Sequence, residues 1–161
     1  MRKFFENRDV QSRIDPFSAG CGCQPSCIAA NDDQFFHSAI LVADDKATSR
    51  ELVRTVLEDS GYVVIEAGDG LETLRNARES KPDLILLDLH MPGLDGFGVV
   101  REIRLDSELA ATPVVALTAS AMQGDRERAM SAGFTGYLSK PISLRALRSE
   151  VERLLAKSNG Y

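Results

Sequence analysis

Four places in the sequence carry side chains suited to handling a phosphoryl group, and each directly follows a short apolar run. Asp44-Asp45 follow Ala39-Ile-Leu-Val-Ala43, and Asp88 follows Leu84-Ile-Leu-Leu87. Thr118 follows Pro113-Val-Val-Ala-Leu117, and Ser139-Lys140 follow Thr135-Gly-Tyr-Leu138. Three carboxylates brought together repel one another and raise one another's pKa unless a cation neutralises them. Oxygen-only ligands select a hard cation, and Mg²⁺ is held by one or two carboxylates together with waters and phosphate oxygens. Such a cation would screen Asp88 enough for an anionic phosphoryl donor to approach and would stabilise charge on the equatorial oxygens. Lys140 can pair with one phosphoryl oxygen and the Thr118 hydroxyl can hydrogen-bond another. Each piece alone is weak, since an Asp pair after a strand is more often a helix cap or a solvated turn. Their joint placement at successive run ends carries the chemical reading.

The elements that must position these groups follow from periodicity. The four runs above, with Tyr62-Val-Val-Ile65, are short, rich in β-branched residues or Leu, and barely alternate, which predicts strands buried on both faces. Between them lie segments of helical spacing. The first helix is expected from about Ala47 to Ser60, with Thr48 and Glu51 as a capping box, Leu52, Val53, Val56 and Leu57 on one face, and Gly61 as its stop. A second begins at Asp69, with Glu72 three residues on. A third follows Asp95 and presents Val99, Val100 and Ile103. A fourth spans about Ala121 to Ala132 and stops at Gly133, and the last carries Leu144, Leu147, Val151, Leu154 and Leu155 as one stripe. Five strands alternating with helices predict an α/β fold, a five-stranded parallel sheet with helices on both faces. In such sheets ligands bind beyond the carboxyl ends of the strands, where strand order reverses. The strand before Glu66-Ala67 contributes no obvious chemistry, so it belongs outside the crevice, which fits the order 2-1-3-4-5.

Composition narrows the function classes. The 161 residues suit one domain plus an appendage, and 43% hydrophobic with 27% charged residues is ordinary for a globular protein. A net charge of −5, with 19 basic residues scattered among 24 acidic ones, argues against a nucleic-acid surface. No apolar run approaches the roughly 20 residues that span a bilayer, and the basic start lacks an apolar stretch after it. No membrane partner is therefore expected, and the cytoplasm is the expected compartment. Residues 1–38 read as an irregular, mobile N-terminal extension broken by Asp15-Pro16, Ala19-Gly20 and Gln24-Pro25. It nevertheless holds Phe4, Phe5, Phe17, Phe35 and Phe36, more aromatics than a purely solvated tail carries. Cys21, Cys23 and Cys27, with His37, match no common zinc spacing and read as free thiols. Residues 39–157 are expected to form the folded unit, with 158–161 as a short tail, and no DNA-binding output domain is expected.

Asp44-Asp45, then Asp88-Leu-His-Met-Pro-Gly-Leu-Asp-Gly96, then Thr118-Ala119, then Lys140-Pro141 resemble the motifs of the response-regulator receiver (CheY-like) family. The resemblance covers residues 39 to about 157. It implies two-component signal transduction, in which Asp88 accepts a phosphoryl group from a histidine kinase or a histidine phosphotransfer protein. It implies Mg²⁺, with Mn²⁺ as a substitute, ligated directly by Asp45, Asp88 and the His90 backbone carbonyl, with Asp44 acting largely through water. Thr118 and Tyr137 match the family's switch pair, and the Lys140-Pro141 peptide is expected to be cis. The His90 side chain is expected to face solvent, and Met91 and Phe97 to be packing residues. Self-phosphorylation and self-dephosphorylation at Asp88 are implied, without turnover of an external substrate. Output is expected through protein contacts on the fourth helix, fifth strand and fifth helix, around Met122, Tyr137 and the exposed neighbours of Leu147. The phosphodonor would dock near the first helix and the Asp88 loop.

Two rivals share these residues. A haloacid-dehalogenase-type phosphatase also uses an Asp nucleophile, Thr or Ser, Lys, acids and Mg²⁺, but there the nucleophile comes first in the chain and the acidic pair last. A binding module that kept the fold and lost phosphorylation would have no need for the full polar set present here. Stand-alone regulator and hybrid-kinase segment both remain open.

Overall fold

The computed structural model describes residues 38–119 and 123–158. The N-terminal extension, its cysteines, His37, Met122 and the expected first residues of the fourth helix lie outside the described residues. Five strands and five helices alternate: β1 (Ala39–Ala43), α1 (Ala47–Glu58), β2 (Val63–Ala67), α2 (Gly70–Ser80), β3 (Leu84–Asp88), α3 (Gly96–Leu105), β4 (Val114–Thr118), α4 (Gln123–Ala132), β5 (Gly136–Ser139) and α5 (Leu144–Ser158). The strands form one sheet in the order β2-β1-β3-β4-β5, and every neighbouring pair is parallel. This is the expected order, the one that the distribution of polar strand ends fits. Among the described residues no helix is long and apolar enough to cross a membrane.

Strand periodicity divides the core into two layers. Ile40, Val42, Leu84, Leu86, Val115 and Leu117 pack with Val53, Val56 and Leu57 of α1 and Leu147, Val151, Leu154 and Leu155 of α5. The alternate residues Leu41, Ala43, Ile85, Leu87, Val114 and Ala116 pack with Leu74 and Ala77 of α2, Val99, Val100 and Ile103 of α3, and Ala129 of α4. Each fully buried Leu, Ile or Val stabilises the fold by about 1.5–3 kcal/mol relative to exposure. Burial on both faces holds for β1, β3 and β4 but not for β2, where Val63 is exposed and the next three residues are half-buried, nor for β5, where Tyr137 and Leu138 are half-buried and Ser139 is exposed. β2 and β5 are the sheet edges and have one neighbouring strand each.

The helices correct three expectations. The Thr48–Glu51 capping box does not form: α1 already begins at Ala47, Lys46 is its cap, and no side-chain cap bond is made. Thr48 therefore lies inside the first turn, where its hydroxyl is no longer at the cap position. Leu52 is 51% exposed, because it sits roughly 90° around the helix from the centre of the Val53, Val56 and Leu57 stripe. Leu144 is exposed for a different reason. It opens α5, and a helical side chain covers the turn preceding its own Cα, which here is loop rather than sheet. Gly61 turns the chain after α1 with φ +87°, a conformation that a side chain resists. The Asp69 carboxylate accepts the Glu72 N–H at 2.8 Å while the Glu72 carboxylate accepts the Gly68 N–H at 2.7 Å, closing the start of α2 reciprocally.

Candidate phosphoacceptor site

The site lies at the C-terminal tips of β1, β3, β4 and β5. Ala43 pairs with Leu87 in the parallel register, so one step further Asp44 stands opposite Asp88. Both residues share strand parity with Val42 and Leu86, on the α1/α5 side of the sheet. On β5, Ser139 pairs with Thr118, so Lys140 has the parity of Leu138 and comes in from the same side. Consistent with this, the Lys140 ammonium donates to Asp44 Oδ2 and to Asp88 Oδ2, both at 2.6 Å. Asp44 is 1% exposed and Asp88 4%, so two buried carboxylates share one cation. Burial alone pulls the lysine's pKa down, but the hydrogen bonds and charges of Asp44 and Asp88 together outweigh it and hold the ammonium above the usual lysine range.

The remaining oxygens are anchored by the backbone. Asp88 Oδ1 accepts the His90 N–H at 2.9 Å, and Asp44 Oδ1 accepts the Lys46 N–H at 2.9 Å. Asp45 is exposed at the mouth of the site. Asp44, Asp45 and Asp88 each offer a carboxylate oxygen within 4.8 Å of the others. A compact, hard, all-oxygen donor set of this kind fits Mg²⁺ in charge and ligand chemistry. The Asp88 loop is held by the cap of α3, where Asp95 Oδ1 accepts the Gly98 N–H at 2.8 Å.

A cleft of about 570 Å³ opens beside these acids, lined by Asp45, Leu89, His90, Met91, Pro92, Asp95, Phe97 and Arg128. The His90 side chain is exposed there, whereas Met91 is buried in the core. Phe97 meets Phe134 edge-on at 5.9 Å and carries the Arg128 guanidinium 5.3 Å above its ring.

Thr118 is fully buried, and its carbonyl accepts the Lys140 N–H at 2.7 Å. Tyr137 pairs with Ala116, two residues before Thr118, so Tyr137 and Thr118 share the α3/α4 face; the ring is half-buried against that core. The Lys140–Pro141 peptide is cis. Two features escaped sequence reasoning: Lys140 spans both Asp44 and Asp88, and Arg50 donates to the Asp44 carbonyl oxygen at 2.6 Å. The only sequence signal for Arg50 is its position in the first turn of a helix that follows the acidic pair.

A five-stranded parallel sheet in this order, with an acidic cluster and a lysine at adjoining strand tips, is the arrangement of a signalling receiver domain. The chain belongs to the response regulator receiver domain family, whose model matches residues 40–152. The polar-differentiation response regulator DivK of Brucella anthropi is 42% identical over 106 residues, covering 66% of this chain and 86% of that protein. Among solved structures, Vibrio cholerae chemotaxis protein CheY4 is similar at 32% identity and a TM-score of 0.70, covering 73% of this chain and 98% of that one. The receiver domain of sensor histidine kinase PA1611 from Pseudomonas aeruginosa PAO1 is similar at 35% identity and a TM-score of 0.70, covering 74% of this chain and 98% of that one. That structure has a magnesium ion coordinated in its active site cleft. The protein is thus a receiver of two-component signal transduction.

Proposed function

We propose that Asp88 accepts a phosphoryl group from the phosphohistidine of a histidine kinase or histidine phosphotransfer protein. The observation that carries this reading is the convergence of Asp44, Asp88 and Lys140 at 2.6 Å, with Asp45 completing an acidic cluster. An Asp88 carboxylate oxygen attacks phosphorus as the P–N bond breaks. The bond pair returns to the imidazole, whose other nitrogen already carries a proton, so the leaving group departs neutral. Asp44, Asp45, Asp88 and the His90 carbonyl would hold Mg²⁺. When bound, Mg²⁺ neutralises the clustered carboxylates and stabilises charge on the phosphoryl oxygens.

The protein's own groups do the positioning. The His90 amide orients the Asp88 carboxylate, and Lys140 supplies a cation to the phosphoryl oxygens as it does to the carboxylates now. The Thr118 hydroxyl donates to a further phosphoryl oxygen, and Tyr137 on the same sheet face follows its displacement. Phosphorylation adds about −1.5 to −2 charge, which biases a two-state element. The readout is a surface formed by α4, β5 and α5, where Ala146 and Arg148 are exposed beside the buried Leu147. Residues 39–157 act as the receiver unit, with 1–38 as an appended extension.

Incubation of the full chain with acetyl phosphate and Mg²⁺, followed by intact-mass measurement, tests this reading. A phosphoryl adduct should form on wild type and be lost both on chelation and in Asp88→Asn. No adduct on wild type, or an adduct that survives Asp88→Asn, overturns the assignment.

A further inference from the structure

Arg50, in the first turn of α1, reaches back to the acidic loop. Its Nη1 donates to the Asp44 carbonyl oxygen at 2.6 Å, while its Nε lies 3.8 Å from Glu66 Oε1. That Nε is buried and finds no hydrogen-bond partner among the described residues. A buried N–H left unbonded is costly, so something must hold the guanidinium away from better geometry with Glu66. Glu66 itself takes the shorter contact from Arg54, at 3.2 Å. Of the two contacts Arg50 makes, the 2.6 Å bond to Asp44 is the close, hydrogen-bonded one and the 3.8 Å ion pair the looser.

With that bond, every polar group of Asp44 has a partner. Its N–H donates to the Ala67 carbonyl at 3.2 Å, its Oδ1 accepts from Lys46, its Oδ2 from Lys140, and its carbonyl from Arg50. Asp44 is thus pinned at four atoms, and the exposed Asp45 hangs from the peptide whose carbonyl Arg50 grips.

We propose that Arg50 is a positioning residue for the metal site: by holding the Asp44–Asp45 peptide it fixes where the acidic pair presents its oxygens. This rests on the reading that Asp44, Asp45 and Asp88 bind Mg²⁺. Groups that orient metal ligands from behind commonly change metal affinity by about 10–100-fold when removed. The sign of the effect separates positioning from charge. Removing a cation near a cation site strengthens Mg²⁺ binding if Arg50 acts by charge alone, and weakens it if Arg50 orients the ligands.

The test is Mg²⁺ titration of the full chain by calorimetry for wild type, Arg50→Met, Arg50→Lys and Arg54→Met, with thermal stability measured in chelator for each. Arg54 shares Glu66 but makes no contact with Asp44 among the described residues, so it reports any effect transmitted through Glu66. We expect Arg50→Met to weaken Mg²⁺ binding by about tenfold, Arg50→Lys to fall between it and wild type, and Arg54→Met to bind like wild type. Unchanged or tighter binding by Arg50→Met overturns the proposal, as does equal weakening by Arg54→Met. Should Arg50→Met fail to fold, Arg50→Lys decides: weaker binding supports the proposal and wild-type binding overturns it. Wild type that takes up no Mg²⁺ removes the underlying reading and this inference together, a result distinct from a selective failure of the Arg50 variants.

Discussion

Replacing Lys140 by methionine keeps an apolar stem of similar length and removes the charge and the donors. Asp44 and Asp88 then lose the cation they share, at 1% and 4% exposure, with the lysine side chain itself only 19% exposed. Removing one partner of a buried ion pair costs about 3–5 kcal/mol. The expected loss at pH 7 in chelator is therefore about 3–5 kcal/mol. Mg²⁺ supplies the missing charge without having to displace an ammonium. A ligand at 100 times its Kd adds about 2.7 kcal/mol, and the variant should gain more than wild type at the same Mg²⁺ concentration. The assay is urea unfolding at pH 7 followed by far-UV circular dichroism, since the chain has no Trp, with chelator or Mg²⁺. Stability within about 0.5 kcal/mol of wild type in chelator, or equal Mg²⁺ increments in both proteins, would refute the counter-cation role.

Two further outcomes follow from the geometry. A Cβ at Gly96 would stand 2.5 Å from the Asp88 carbonyl oxygen and 2.8 Å from Leu89 Cα, so Gly96→Ala must push the acceptor loop off α3. It should lose about 1–3 kcal/mol of stability and slow acetyl phosphate labelling. Gly124→Ala, which meets nothing within 4 Å, serves as the control, and wild-type labelling by Gly96→Ala would refute the close-approach argument. Burial first, and the charge of Glu152 second, raise the Tyr62 phenol above the usual tyrosine range. Its contribution to stability is therefore fully present below about pH 10 and is lost as pH rises through the folded value. Phenolate absorbance, compared between wild type and Tyr62→Phe, should show that ionisation displaced upward relative to the urea-unfolded chain, and coincident titrations would count against it.

Much of the architecture was legible because its signals are local. The runs at Ala39–Ala43 and Leu84–Leu87 became strands with at most one residue of adjustment, and Asp69 with Glu72 and Asp95 mark helix starts through contacts three residues long. Where neighbours competed, local reading failed. Thr48 carries the right side chain for a cap, but α1 starts two residues too early for it to act as one. Leu52 carries the right polarity for the core at the wrong angle.

The amino-acid order alone determined the alternation of apolar runs with helical segments, and with it a parallel sheet whose polar tips gather at one end. Both are properties of spacing over a few residues, set by backbone periodicity. Only the folded chain decided that Lys140 binds both Asp44 and Asp88, 96 and 52 residues away, and that Arg50 grips the Asp44–Asp45 peptide. The lysine contacts depend on strand register and on which face each tip shares, and register exists only once the strands have paired; the arginine contact depends on how α1 folds back against the end of β1.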